Sequence, residues 1–352
     1  MAKDNNQPTL EEWKKLYKLA AKFEKLAPWE WMCDVDVFGI MDPRTKEIAY
    51  CSIMGNNREF YGMGVYVGAA GFASLDLIAR GEIPDGIDDK INTQKCLLVE
   101  YDKRDRITKE EMEIIKKTGV RFERRNFWPM FKDYTPGYYP WTISGSDVEF
   151  LITVVEQAID VVSDFKNNKD KLIARVPEQF LVKTPAEKNG KISWHYKYSA
   201  PEKYIENEKI PALSEPDEIL ARNMKKEMEP DDRVEWEFDY FRAREPIQDD
   251  KKLSRPYYPY ILFAVDRISG MIINISLSDP GDGRFRIFRK CFIEAVQKSN
   301  ILPGTLLIRK YDLAEIMKPI ADVFGIKIKI SNDLRMFDEA KNSFIYGDSP
   351  VK

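Results

Sequence analysis

Two stretches of the chain, more than two hundred residues apart, share one pattern: an apolar run, a short polar turn and a second apolar run. The first covers residues 37–54 and turns at Asp42-Pro-Arg-Thr-Lys46, and the second covers residues 261–277 and turns at Asp266-Arg-Ile-Ser-Gly270. Such patterns are typical of β-hairpins. After each hairpin the pattern predicts a helix, a buried strand, a second helix and a short strand. The sequence therefore predicts an α/β fold built from two similar modules, as an internal duplication would produce.

The predicted modules cover residues 9–165 and 256–348, and a polar connecting subdomain covers residues 166–255. The first module opens with an amphipathic helix, because Thr9 and Glu12 form a capping-box pattern. The connecting part contains a hairpin signal at Lys188-Asn-Gly-Lys191, a helix over 216–228 and a half-solvated strand over 233–241. Strands that alternate with helices imply parallel pairing in part of each sheet. An α+β arrangement remains an alternative.

Charge and cysteine usage exclude several classes of protein. The chain has 55 basic and 58 acidic side chains and a net charge of −3, so the basic excess of a dedicated duplex-DNA binder is missing. The four cysteines form no Cys-x-x-Cys pair, and a structural zinc site is not expected. No secretory leader and no run of eighteen apolar residues are found, so we expect a cytoplasmic protein without a membrane partner.

The single histidine limits the possible enzyme chemistry. His195 lies between Trp194 and Tyr196 in a predicted strand, and no Gly-x-Ser-x-Gly motif accompanies it. Hydrolysis by a Ser-His-Asp triad is therefore not expected. The glycines at 62, 64, 68 and 71 do not have the spacing of a dinucleotide-binding loop.

Aromatic residues are most concentrated at 127–141, where Pro129, Pro136 and Pro140 interrupt them. So many prolines predict a shaped loop instead of a helix or a central strand. Rigid aromatic loops are common binding surfaces. The candidate binding residues are Trp128, Tyr134, Tyr138 and Trp141. The alternative is that this segment folds back and fills the core.

Four acidic residues of the C-terminal module follow its predicted elements in order: Asp266, Glu294, Asp312 and Asp338. This order resembles that of the ribonuclease H-like nucleases. The resemblance implies that clustered carboxylates hold two Mg²⁺ ions for cleavage of nucleic acid. Magnesium is the only cofactor that any of our hypotheses implies. Against this hypothesis, the third strand that such a fold needs is missing or very short between Ser278 and Arg284.

Longer motifs resemble two families of uncharacterised bacterial and archaeal domains that are usually found together in one chain. For the first family they are Trp29-Glu-Trp-Met32, Asp36-Val-Phe-Gly-Ile-Met-Asp-Pro43, Tyr50-Cys-Ser-Ile-Met-Gly55, Val65-Tyr-Val-Gly68, Asn126-Phe-Trp-Pro-Met-Phe131 and Tyr134-Thr-Pro-Gly-Tyr-Tyr-Pro-Trp141. For the second they are Pro259-Tyr-Ile261, Val265-Asp266, Ser269-Gly270, Pro303 and Phe324-Gly-Ile326. Neither family implies an activity.

The sequence leaves three hypotheses about function. We favour a non-catalytic protein that binds or regulates another macromolecule. We expect this partner to be a protein more than a nucleic acid. The first alternative is the magnesium-dependent nuclease. The second is a small-ligand-binding protein that uses a groove between the two modules.

Overall fold

The computed structural model describes residues 7–82, 92–122, 127–172, 178–203, 210–248, 254–281 and 283–346. The chain divides into two compact units, Met1–Ile205 and Glu206–Lys352, which we call the first and the second module. Each contains its own sheet and its own helices, so the predicted α/β class is confirmed. None of the helices in these ranges is both long and apolar enough to cross a membrane.

The first module is built on an eight-stranded sheet with the order β6-β5-β4-β3-β2-β1-β7-β8. All neighbouring strands in it are antiparallel except β1 and β7, which are parallel. The strands are β1 (Phe38–Met41), β2 (Ile48–Met54), β3 (Tyr61–Val67), β4 (Cys96–Asp102), β5 (Trp128–Tyr134), β6 (Trp141–Thr142), β7 (Phe180–Lys188) and β8 (Lys191–Ser199).

The helices of the first module cover both faces of this sheet. They are α1 (Leu10–Leu26), α2 (Gly68–Ala79), α3 (Lys109–Thr118) and α4 (Gly145–Phe165). Helices α1, α3 and α4 share the main apolar core on one face, whereas α2 packs on Tyr50 and Tyr66 of the other face. The capping box predicted at Thr9 and Glu12 is present and fixes the start of α1.

The second module has a five-stranded sheet with the order β11-β10-β9-β12-β13. Strands β11, β10 and β9 are antiparallel, and β9, β12 and β13 are parallel. These strands are β9 (Asp231–Arg242), β10 (Tyr260–Asp266), β11 (Ile272–Ser278), β12 (Pro303–Ile308) and β13 (Lys327–Ile330). The helices are α5 (Glu215–Glu227), α6 (Arg284–Ser299), α7 (Tyr311–Phe324) and α8 (Arg335–Tyr346). Helices α5, α6 and α7 pack on one face of the sheet and α8 packs on the other.

The region predicted as a separate connecting subdomain is divided between the two modules. Its hairpin, β7 and β8, extends the first sheet, while α5 and β9 belong to the second module. Strand β9 is the central strand of its sheet and not a half-solvated one, because β10 and β12 flank it and helices cover both faces. It also adds a third antiparallel strand to the predicted hairpin of β10 and β11. Since the strand orders differ, the modules share a fold class but not one plan.

The aromatic segment at 127–141 contains two strands, β5 and β6, where we predicted a loop. Pro129 is tolerated in β5 because β6 pairs only with Lys132 and Asp133. No other described strand pairs with the first half of β5 on that side. On its other side β5 pairs with β4 along its whole length. Edge pairing thus explains why the prolines do not prevent a strand.

Candidate functional site

The acidic residues of the nuclease hypothesis each have a partner within the protein. One carboxylate oxygen of Asp266 accepts hydrogen bonds from the Ser269 amide and hydroxyl, both at 2.7 Å, and so closes the turn between β10 and β11. Glu294 accepts a hydrogen bond from the Asn274 amide at 3.3 Å and lies 3.5 Å from the Lys290 ammonium group.

The other two acidic residues lie at the starts of helices. Asp312 accepts a hydrogen bond from the Tyr240 hydroxyl at 2.6 Å, and Asp338 binds the Arg309 guanidinium through both carboxylate oxygens at 3.1 and 2.7 Å. Among the described residues, no group of three or more Asp, Glu, His or Cys side chains could hold a metal ion. The four carboxylates therefore do not form the cluster that the nuclease hypothesis requires.

A different pair of acidic residues, Glu237 and Asp239, lies buried on the α8 face of β9. Glu237 accepts a hydrogen bond from the Phe337 amide at 2.8 Å and lies 3.4 Å from the Arg267 guanidinium. Because Phe337 lies in the first turn of α8, this carboxylate caps the positive end of that helix. Burial raises the pKa of both acidic side chains.

Asp239 depends on cations that follow strand β12. The Lys310 ammonium group donates to one carboxylate oxygen at 3.0 Å, and the Arg309 guanidinium lies 4.0 Å from the other. That second oxygen accepts no hydrogen bond from the described part of the chain. Lysine and arginine thus supply the positive charge beside the central strand, and they tie β9 to the start of α7. We interpret Asp239, Arg309 and Lys310 as residues that stabilise the fold and do not form a functional site.

The four aromatic residues predicted to bind a partner are all half-buried. Trp128 packs on Phe122 with ring centroids 5.4 Å apart, and Tyr134 packs against the cluster beneath α2. Burial also raises the pKa of Tyr134 to about 12. These contacts show that two of the four contribute to the apolar core, so a binding role for Trp128, Tyr134, Tyr138 and Trp141 stays a prediction.

A groove between α5 and α7 is one concave surface in the described part of the chain. It has a volume of about 650 Å³, within the usual range for ligand sites. Apolar and basic side chains line it together: Ile219, Arg222, Asn223, Lys225, Lys226, Asp322 and Val323. Ser214 caps α5, and the fully buried Ala221 fixes the inner side of that helix. No sequence motif marks this groove, because its two helices are about ninety residues apart.

Basic side chains outnumber acidic ones in the lining of the groove. Three of its lining side chains are basic and one, Asp322, is acidic. Arg222 binds Glu218 one turn away at 2.7 Å. Within the described ranges, the Lys226 ammonium group bonds only to the neutral Asn223 amide oxygen, at 3.2 Å. Lys225 lies against Gly325. A Cβ atom added to this glycine would lie 3.1 Å from the Lys225 ammonium group. The two lysines therefore give the groove its charge.

Arg289 holds the segment that leads into α5. This side chain is buried on α6 and donates to the carbonyl oxygens of Pro211 at 2.7 Å, Ala212 at 3.1 Å and Ile316 at 2.9 Å. Burial lowers its pKa. One guanidinium thus joins α6, α7 and the start of α5, and it positions one wall of the groove.

Replacing Arg289 with methionine is expected to loosen that wall. Three carbonyl groups lose their donor at once, which weakens the packing of residues 210–227 on the rest of the module. Amide hydrogen exchange followed by mass spectrometry should show faster exchange there, by roughly tenfold. Peptides from β10 should exchange as in the wild type. Unchanged exchange over 210–227 would show that Arg289 does not anchor α5.

Two family models match the chain, one in each module. Residues 13–183 match a domain of unknown function (DUF7309), and residues 220–345 match another domain of unknown function (DUF6930). The expected pair of distinct uncharacterised families in one chain is thereby confirmed. No curated protein matches the sequence.

Proposed function

We propose that this protein is a non-catalytic binding protein whose second module recognises an acidic segment of another protein in the groove between α5 and α7. One observation carries the proposal: the groove combines the exposed Ile219 and the half-buried Val323 with a surplus of basic side chains. Ile219 is 52% exposed, although it lies on a helix that packs into the core. An amphipathic helix with acidic residues would cover this apolar surface and neutralise the lysines.

Charge and composition favour a protein ligand over a nucleic acid. Binding through six to ten phosphate contacts needs more cations than the three that line this groove. Single-stranded nucleic acids also bind through stacking on aromatic side chains. The described lining residues include no aromatic ring, whereas Ile219 and Val323 suit aliphatic side chains of a peptide.

The carboxylates support binding over catalysis. Asp266, Glu294, Asp312 and Asp338 are each occupied by a hydrogen bond or an ion pair. A magnesium-dependent nuclease needs such groups to converge on one site. The hypothesis of a small ligand held between the two modules stays a prediction.

The test is a binding experiment with a fluorescein-labelled helical peptide rich in Glu and Leu. Fluorescence anisotropy should show saturable binding to the full chain, and the double substitution Lys225→Glu with Lys226→Glu should weaken it by about tenfold or more. The reason is that both changes replace attraction by repulsion in the last turn of α5. Lys116→Glu with Lys117→Glu is the matched control, because these lysines lie in the last turn of α3 in the first module. Binding should survive in this control.

Two outcomes would contradict the proposal. One is an equal loss of affinity in both double variants, since that would reflect net charge and not the groove. The other is tighter binding of single-stranded oligothymidylate than of the peptide, with the same dependence on Lys225 and Lys226. That result would show that the groove binds a nucleic acid and not a protein.

A further inference from the structure

Among the residues that the structure describes, the two sheets have four edge strands, and three of these carry features that disfavour pairing with another chain. Strand β6 has only two residues. Strand β8 carries Lys191 and Lys197, and β13 carries Lys327 and Lys329. Short edges and lysines on edges are common means of blocking contact between sheets. The fourth edge, β11, has the sequence Ile-Ile-Asn-Ile-Ser-Leu-Ser and contains neither charge nor proline.

Strand β11 also exposes apolar side chains. Ile275 and Leu277 are 42% and 57% exposed and lie on the same side of the strand. Asn274 and Ser278 point the other way and are buried. A bulge opposite Val265 interrupts the start of the strand, but Asn274 to Ser278 pair regularly with β10. Its outer row of backbone N–H and C=O groups faces away from the sheet, beside an apolar surface.

We propose that two copies of this chain pair through β11 in antiparallel orientation, so that their five-stranded sheets join into one continuous sheet. A two-fold axis at Ser276 places Ile275 of one copy opposite Leu277 of the other, and the same contact forms twice. No like charges within the two β11 strands oppose each other, because the strand itself carries none. The backbone groups of both edges gain partners.

The same geometry explains why assembly stops at two copies. Pairing through β11 uses one edge of each sheet, and the remaining edge is β13. Lys327 and Lys329 on that strand oppose further addition. An extended peptide from another protein would also fit the edge, but only identical strands give the reciprocal contact of Ile275 with Leu277. This inference does not depend on the groove between α5 and α7.

Sedimentation equilibrium of the full chain tests the pairing. The wild type should have twice the chain mass of 41.1 kDa at high protein concentration, and Leu277→Lys should have the mass of one chain. The control is Ile192→Lys on β8, where Ile192 is 51% exposed on an edge that already carries lysines. This variant should remain dimeric. Far-UV circular dichroism should match the wild type for every variant, because the changed side chains are exposed.

A charge swap tests the register. In the double variant Ile275→Lys with Leu277→Glu, each lysine lies opposite a glutamate of the other copy, so the dimer should return. Ile275→Lys with Leu277→Lys places like charges together and should stay monomeric. A wild type that is monomeric at all concentrations would overturn the proposal. So would a charge-swapped variant that is as monomeric as the doubly basic one.

Discussion

Replacing Lys310 with methionine should lower the free energy of unfolding of the second module by about 3 kcal/mol at pH 7. Asp239 is 0% exposed, and Lys310 is the only cation that donates a hydrogen bond to its carboxylate from the described residues. Methionine fills much of the same space, but among the described residues it leaves the carboxylate with the Tyr240 amide at 2.9 Å and no cation nearer than Arg309, 4.0 Å away. A buried charge without a close partner is one of the costliest defects in a folded protein.

The effect should depend on pH in a defined direction. Burial already raises the pKa of Asp239, and loss of the nearby ammonium group raises it further. In the native state of the variant, the Asp239 carboxyl therefore stays protonated up to a higher pH than it does in the unfolded state. Its stability should fall as pH rises through this range, so the deficit relative to the wild type is smaller in acid and larger at neutral pH.

Fluorine NMR of protein labelled with 5-fluorotryptophan can follow urea unfolding of each module. Trp236 is the only tryptophan after residue 205, so its resonance reports the second module. In an Asp239→Asn background, Lys310→Met should lower the free energy of unfolding much less, because no buried charge remains at position 239. Lys327→Met is the matched control: Lys327 pairs with the exposed Asp232 on the same sheet and should not be needed for stability. If Lys310→Met destabilised the Asp239→Asn variant as much as the wild type, our explanation would be contradicted.

Local signals in the sequence predict many of the elements. Turn residues mark both hairpins, and the capping boxes at Thr9 and Thr108 mark the starts of α1 and α3. These features depend on residues within one or two turns of the chain, so they need no knowledge of the fold. Gly119 ends α3 in the left-handed conformation for the same local reason.

The central position of β9 could not be read from its own residues. Charged and aromatic residues alternate along it, and this pattern normally indicates a strand with one face in water. The charged face is buried because Arg267, Arg309 and Lys310 approach Glu237 and Asp239 from elsewhere in the chain. Such pairing depends on tertiary contacts, and a single sequence does not reveal it.

The candidate site was missed for a related reason. The groove joins Ile219 and its neighbours on α5 to Asp322 and Val323 on α7, and neither helix has a motif of its own. The predicted acids have the right residue types, but their order along the chain does not decide which of them meet. The aromatic segment was recognised, but the edge pairing that makes β5 a strand was not visible.

In the first module, Glu100→Gln should stabilise the protein by about 2 kcal/mol at pH 8 and by much less at pH 5. Glu100 lies on β4, and the nearby Lys132 ammonium group donates its hydrogen bond to Glu111 instead, at 2.7 Å. Burial raises its pKa to about 7; Asp102 and Glu111 add to this rise, while Lys132 and Arg106 oppose it. The native state therefore holds a proton that the unfolded chain releases near pH 4.5.

The sign of the pH dependence follows from this difference in proton binding. Between pH 4.5 and about 7 the native state binds more protons than the unfolded state, so the stability of the wild type falls as pH rises. Glutamine cannot ionise and removes this contribution. Urea unfolding, followed through the six tryptophans of the first module, should show curves that meet in acid and separate toward pH 8.

Glu111→Gln is the matched control, because it should have the opposite sign. Burial would raise the pKa of Glu111, but hydrogen bonds from Lys132 at 2.7 Å and from the Thr108 amide at 2.9 Å outweigh burial and hold it below the usual value. Its contribution is present at neutral pH and is lost as pH falls through that lowered pKa. This variant should thus lose stability at pH 8. Parallel stability curves for the wild type and Glu100→Gln from pH 5 to pH 8 would show that Glu100 is ionised throughout, and that β4 carries the charge without cost.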